Sequence, residues 1–397
     1  MFSGKRIVLG VTGGIAAYKA VEISRRLVDA GAHVSPIMTN AAKKFIGEVT
    51  LSALASEPVK SSLWNEEDPI PHTTLGQEAD LVLIVPATAK LIGTYAAGIS
   101  NDLLMATLLA TRAPVLICPA MHTEMWEHPA VQENLETLVR RGVRIVEPED
   151  GMLAGGDVGK GRLAGIEKIL DNAESVLAKN DLAGLKFLIT AGGTGEPIDP
   201  VRYIANRSTG KQGYALAKAA KIRGAEVTLV TSMEMEAPPD IKVLCSETAS
   251  EMQGVVMEEG LKADVVIMAA AVADYRPSEM LDQKIKKTEL LNTLDLVATH
   301  DFLVDLGNSK RTDQTIVGFA AETENLEENA LSKLVRKKLD LIVANDVSRP
   351  GVGFAHDTNE VVIIGERTKW SLPLATKRII ADGILDAIIE IRKEQIV

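Results

Sequence analysis

Two glycine turns, each directly behind an apolar run, are the first residues in the chain with chemical capacity. Val11-Thr12-Gly13-Gly14-Ile15-Ala16-Ala17 and Thr190-Ala191-Gly192-Gly193-Thr194-Gly195 both offer main-chain N–H groups at a strand end, an arrangement that holds phosphate. The first is not the Gly-x-Gly-x-x-Gly dinucleotide pattern. The next run ends Pro36-Ile37-Met38-Thr39-Asn40, without a ribose-binding carboxylate, so a mononucleotide fits better than NAD. Taken alone, such a turn is explained equally well by strand-on-helix packing.

Further loops change that balance. Pro86-Ala87-Thr88-Ala89 and Cys118-Pro119-Ala120-Met121-His122 each end a buried apolar run, where open α/β sheets bind ligands. His72 stands in Asp68-Pro69-Ile70-Pro71-His72-Thr73-Thr74; a lone loop histidine is more often solvated or structural, but two nearby prolines suit a preorganised base. Asn101 lies in Gly98-Ile99-Ser100-Asn101-Asp102, where Ser100 or Asn101 could equally cap a helix. In the second half, Asn206-Arg207-Ser208-Thr209-Gly210-Lys211-Gln212-Gly213 precedes a helical pattern. It is followed by Ala273-Asp274-Tyr275, Lys284-Ile285-Lys286-Lys287 and Val317-Gly318-Phe319-Ala320. Lys284, Lys286 and Lys287 can supply local cations to a phosphorylated ligand, or can be a plain solvated cluster.

The elements that must position these loops alternate. β-Branched runs at Arg6-Val11, Val34-Met38, Leu81-Val85, Val115-Ile117 and Val143-Val146 are separated by helical patterns such as Ile15-Ala30, which implies parallel strands with helical crossovers. Leu81-Val82-Leu83-Ile84-Val85 is apolar throughout, as expected when helices cover both faces of a sheet. Six glycines between Gly151 and Gly165 predict an irregular, mobile flap. A helix over Ile166-Ala178 follows, and Lys186-Thr190 restarts the pattern, placing a boundary near residue 181. Strands are expected at Val227-Val230, Val243-Cys245, Val265-Met268, Ile316-Phe319, Leu341-Ala344 and Val361-Ile364, and helices at Gly210-Ile222, Ser250-Gly260, Leu326-Lys338 and Leu374-Glu394. The fold class is therefore α/β, two doubly wound Rossmann-like domains, residues 1–180 and 181–397.

Composition narrows the function. The chain has 397 residues, 43 Lys+Arg against 54 Asp+Glu and 46% hydrophobic residues, which describes a globular protein and disfavours non-specific nucleic-acid binding. Its longest apolar stretches fall short of the ~20 residues needed to cross a bilayer, and the Lys5-Arg6 start lacks a signal-cleavage pattern. Cys118 and Cys245 are too few for a disulfide framework or a cysteine metal site, which points to a reducing, cytoplasmic setting.

Over residues 1 to about 175 the glycine turn, Pro-Ala-Thr-Ala segment, His72 and Pro-Ala-Met motif resemble the homo-oligomeric flavin-containing cysteine decarboxylases. That resemblance implies FMN contacts at Gly13, Gly14, Ile15, Thr39, Pro86, Ala87 and Thr88, a catalytic His72, and substrate contacts at Asn101, Met121 and His122. Two departures stand out. His122 replaces the asparagine that usually follows Pro-Ala-Met, and Gly155 replaces the flap cysteine that serves as an acid. His122, Cys118 or water would then donate the proton. Residues 182–397 resemble the phosphopantothenate-cysteine ligase domain. The whole chain is thus similar to the bifunctional coenzyme A biosynthesis family. That resemblance implies activation of 4'-phosphopantothenate by CTP with Mg2+, then amide formation with cysteine, then decarboxylation to 4'-phosphopantetheine. Lys284 and Asn206 would be catalytic in the ligase half, and Asp274, Phe319, Lys337 and Lys338 CTP contacts; a helix C-terminal dipole is the structural alternative for the last two. The resemblance also implies a homo-oligomer, with trimers and dimers building a dodecamer. An active ligase beside a vestigial or scaffolding flavin domain is the competing reading.

Overall fold

The computed structural model describes residues 2–64, 68–235, 240–285, 293–349, 351–353 and 356–396; Lys286 and Lys287 lie outside them. The chain divides into two compact units, Met1–Lys179 and Asn180–Val397.

In the first unit, β1 (Arg6–Val11), β2 (His33–Met38), β3 (Leu81–Ala87), β4 (Val115–Pro119) and β5 (Arg144–Ile145) form a parallel sheet of order β2-β1-β3-β4-β5. Stepping outward from β1 in both directions puts the helical crossovers on opposite faces. Every residue of β3 is buried, and its side chains alternate between two cores: Leu81, Leu83 and Val85 join one, Val82, Ile84 and Ala87 the other. Two-sided burial is what made its sequence apolar at each position. The glycine turn, Pro-Ala-Thr and Pro-Ala-Met all leave carboxyl ends of these strands.

The expected irregular flap is instead partly regular. Glu149–Met152 (β6) and Val158–Arg162 (β7) pair antiparallel. Its glycines serve close approach rather than disorder. A Cβ on Gly159 would lie 2.4 Å from Thr123 Oγ1, and one on Gly161 would lie 2.2 Å from the Met121 carbonyl oxygen.

In the second unit β8 (Lys186–Ala191) starts a larger sheet, joined by β11 (Glu226–Thr231), β12 (Lys242–Cys245), β13 (Val265–Met268), β16 (Thr315–Glu322), β17 (Leu341–Asp346), β18 (Thr358–Gly365) and β19 (Lys369–Thr376). Two small ribbons accompany it, β9 (Gly195–Pro197) with β10 (Tyr203–Ala205), and β14 (Tyr275–Pro277) with β15 (Leu296–Ala298). The large sheet runs β12-β11-β8-β13-β16-β17-β18-β19, parallel through β17 and antiparallel at β18 and β19. Leu374 to Thr376 therefore belong to a strand, and the last helix begins at Lys377 rather than at residue 374. Strand β19 alternates exposed and half-buried residues, so its last residues fit a helical spacing as easily as a strand.

Candidate active sites

A chain of short contacts gathers the first unit's loops. Thr12, 2% exposed, donates from Oγ1 to the Pro86 carbonyl (2.7 Å) and accepts from the Thr88 N–H (3.2 Å). The Ala87 carbonyl accepts from Ala120 N–H at 3.2 Å, and Met121 N–H donates to the Gly161 carbonyl at 3.0 Å. The glycine turn, Pro-Ala-Thr, Pro-Ala-Met and the hairpin are thus fastened in series. Only glycine fits at position 13, where a Cβ would stand 2.4 Å from the Ala41 Cβ. Gly14 is the extended cap of a short 3-10 turn, Ile15–Tyr18, with no side chain capping it.

Two clefts meet along this line. One, about 480 Å3, is bordered by Gly13, Gly14, Ile15, Met121 and His122 and by the hairpin's Met152 to Ala154. The other, about 430 Å3, is bordered by Gly13, Thr39, Thr88 and Asn101. Thr88 also caps the following helix, accepting from Leu91 N–H. Asp102, not Ser100 or Asn101, caps helix Leu103–Ala110, accepting from Met105 N–H at 2.9 Å. That leaves the exposed Asn101 at the cleft.

His122 occupies the position facing the hairpin. Its Nδ1 contacts Glu124 Oε2 and its Nε2 lies 3.1 Å from Asp157 Oδ2. The hydrogen bond that the ring donates to Glu124, reinforced by the charges of Glu124 and Asp157, raises the imidazole above its ordinary range and favours the protonated ring. A Cβ on Gly155 would lie 3.2 Å from that same Nε2. Cys118 is fully buried, and burial pushes its thiol far up, which removes it as a working acid. Lys19 and Arg162 also border the cleft, and sequence reading gave neither a role.

His72 is placed elsewhere. It sits in the first turn of helix Pro71–Glu78, not in a loop, because Pro71 is well suited to a first helical position. It borders a separate depression of about 430 Å3 with Trp64, Pro69 and Ser100. Its Nδ1 is buried without a hydrogen-bond partner.

The second unit's main cleft, about 730 Å3, gathers Asn206, Asp274, Phe319 and Lys337. Asn206 Nδ2 donates to the carbonyls of Ala271 (3.3 Å) and Val272 (3.1 Å), tying its loop to the end of β13. Lys337 Nζ pairs with Asp301 at 2.8 Å. Lys338, at φ +51° beyond the helix Leu326–Arg336, is not among the residues bordering the cleft; Lys333, one turn before Lys337, is. The four-residue spacing of Lys333 and Lys337 was the available signal. Lys284 is exposed and does not border the cleft. Its neighbour Ile285 is fastened, donating to Asp199 Oδ2 (3.3 Å) and accepting from Arg202 (2.5 Å). Among the described residues no group of three or more His, Cys, Asp or Glu could hold a metal ion.

Comparison with known proteins matches both units. Residues 1–178 match the flavoprotein family model, and residues 182–391 match the DNA/pantothenate metabolism flavoprotein C-terminal domain. The coenzyme A biosynthesis bifunctional protein CoaBC of Vibrio cholerae is 45% identical over 98% of this chain and 98% of its own length. The chain belongs to the CoaBC family. The Escherichia coli K12 CoaBC is likewise 45% identical, over 98% of this chain and 97% of its own. A solved FMN-dependent cysteine decarboxylase, SpaF, is 29% identical, covering 44% of this chain and 99% of that one with a TM-score of 0.39. The protein is a bifunctional enzyme of coenzyme A biosynthesis, phosphopantothenoylcysteine decarboxylase in its first unit and phosphopantothenate-cysteine ligase in its second. A match across both units does not favour a vestigial first half.

Proposed function

We propose that the second unit activates the carboxylate of 4'-phosphopantothenate with CTP, forming an acyl-cytidylate that the cysteine amine opens, and that the first unit uses FMN to decarboxylate the product to 4'-phosphopantetheine. The observation behind this reading is that each unit brings several of its motifs to a cleft beside its parallel sheet, Gly13, Gly14, Met121 and His122 in the first and Asn206, Asp274, Phe319 and Lys337 in the second.

In the ligase cleft, Asp274 and Phe319 meet the nucleotide, and Lys337 holds its charge. Asn206, anchored by two carbonyls, positions the acyl-cytidylate for amine attack. Charge builds on the phosphate oxygens as the carboxylate attacks, and we assign Lys284, exposed beside the fastened Ile285, to move in and meet it. Mg2+ arrives with the triphosphate.

The decarboxylase cleft fits FMN: the uncapped turn at Gly14 offers N–H groups to its phosphate, and Ile15, 66% exposed, offers apolar cover to a ring. Thr39, Pro86, Ala87 and Thr88 complete the cradle. When bound, FMN would supply a reversible two-electron sink, taking the cysteinyl thiol to the thioaldehyde level to permit loss of carbon dioxide and giving the electrons back to form the product thiol. Asn101 and Met121 bind the substrate. The protonated His122, facing Gly155, donates the proton that the flap cysteine would otherwise give. His72, which borders its own depression, acts as base across a subunit boundary. Exposed apolar residues suit such assembly: Ile70, Ile99 and Leu109 in the first unit, Val201, Tyr203, Tyr275 and Leu296 on the second unit's ribbons. We take trimers of the first unit and dimers of the second to build a dodecamer. No described helix is long and apolar enough to cross a membrane, both cysteines are free, and we place the enzyme in the cytoplasm.

The test is incubation of the full chain with 4'-phosphopantothenate, cysteine and either CTP or ATP, with mass detection of intermediate and product. CTP should give 4'-phosphopantetheine through phosphopantothenoylcysteine; turnover with ATP alone would overturn the nucleotide assignment.

A further inference from the structure

Lys377, the first residue of the last helix, is 6% exposed although it is a lysine. Its Nζ donates to the Gly353 carbonyl at 3.1 Å. Its own backbone is held from two sides, donating to the Asp357 carbonyl (2.9 Å) and accepting from Gln212 Nε2 (3.3 Å). It borders a small cavity of about 100 Å3 together with Ser208, Gly210, Gly213, Asn345 and Asn359. That cavity shares Ala270, Ala271, Phe319, Ala321 and Gly353 with the main ligase cleft.

Among the described residues, Lys211, His356 and Asp357 are the charged or titratable groups facing Lys377. Lys211 lies close and spends its Nζ on Asp357 Oδ1 at 2.6 Å, and His356 adjoins that pair. Burial first, and Lys211 second, pull the Lys377 ammonium down to about 8, with Asp357 opposing. A cation kept from water beside another cation is stabilised when an anion enters. The cavity is small against the 730 Å3 cleft it joins, which suits phosphate groups rather than base or sugar.

We propose that Lys377 grips the β,γ-diphosphate end of the nucleotide, the part that departs as pyrophosphate. The proposal rests on the ligase reading above. As the carboxylate oxygen bonds to the α-phosphorus, the α,β bridging P–O bond breaks and its electron pair leaves on the pyrophosphate. Lys377 meets that growing charge by hydrogen bonding and no proton need move.

The test uses the full chain, with inorganic pyrophosphate and CMP as separate probes by titration calorimetry, and CTP kinetics alongside. In Lys377→Gln, pyrophosphate affinity and kcat/KM for CTP should fall about 10-fold to 100-fold while CMP affinity stays unchanged, which also shows that the cleft is folded. Lys377→Arg should restore pyrophosphate binding to within a few-fold. Wild-type affinity for pyrophosphate should weaken as pH rises through about 8, whereas the arginine variant, charged throughout, should show a flatter profile. Wild-type pyrophosphate binding in Lys377→Gln, or equal losses for CMP and pyrophosphate, would overturn the assignment. A wild-type chain that binds neither CMP nor pyrophosphate would overturn the ligase reading together with it.

Discussion

Thr12 offers the sharpest handle on the flavin unit, because one hydroxyl joins the two loops that we propose cradle the cofactor. Thr12→Val keeps the shape of the side chain and removes both of its hydrogen bonds, to the Pro86 carbonyl and from the Thr88 N–H. The site is 2% exposed, so water cannot easily replace them. Each buried group left unsatisfied costs about 1–3 kcal/mol, and for two of them partly relaxing we expect a loss of about 2–4 kcal/mol. For a unit of this size that corresponds to a drop in melting temperature of roughly 5–10 °C. Thermal melting followed by the fluorescence of released flavin reports on the first unit alone, and cysteine ligation measured at moderate temperature serves as the internal control. Thr12→Ser keeps the hydroxyl and should melt close to wild type. If Thr12→Val melts with the wild-type curve and keeps its flavin equally well, the brace does not hold the cradle.

Three further outcomes are expected. Lys284→Gln should abolish acyl-cytidylate formation, read by mass spectrometry, while the absorption of bound flavin is unchanged. His72→Asn should leave cysteine ligation intact and stop carbon dioxide release; an unaltered carbon dioxide yield would remove the base assignment. The imidazole of His122 is raised above its ordinary 6.5, chiefly by Glu124, so the protonated form is complete below that value and is lost as pH climbs through the higher folded-state value. Glu124→Gln should therefore move the alkaline limb of the decarboxylation profile to lower pH, and an unmoved limb would separate His122 from the proton transfer.

The parallel strands and their order of appearance were legible because two-sided burial writes itself as unbroken apolar runs, as in Leu81 to Val85. The glycine-rich hairpin was not. Gly159 and Gly161 are needed by Thr123 and Met121, residues distant in sequence, and composition alone cannot tell close approach from disorder. The cap of helix Leu103–Ala110 fell to Asp102 rather than its neighbours for a similar reason, since three adjacent residues all carry capping side chains. In the sites, loops at strand ends were readable from their position, whereas Lys333 was hidden by the more conspicuous Lys337-Lys338 pair. Which of those three lysines reach the cleft depends on the helix phase near its end, and that is set by packing: the Gly307 position approaches the Lys337 carbonyl so closely that a Cβ there would lie 1.9 Å from it. Lys377 was invisible, because its burial comes from elements far apart in the chain.

In the proposed function, two clefts on one chain carry out consecutive steps. CMP and carbon dioxide measured together, in one reaction begun from 4'-phosphopantothenate, cysteine and CTP, test it most directly. The two should accumulate in equal amounts after a short lag in carbon dioxide; CMP formed with no carbon dioxide, while flavin is bound, would contradict it.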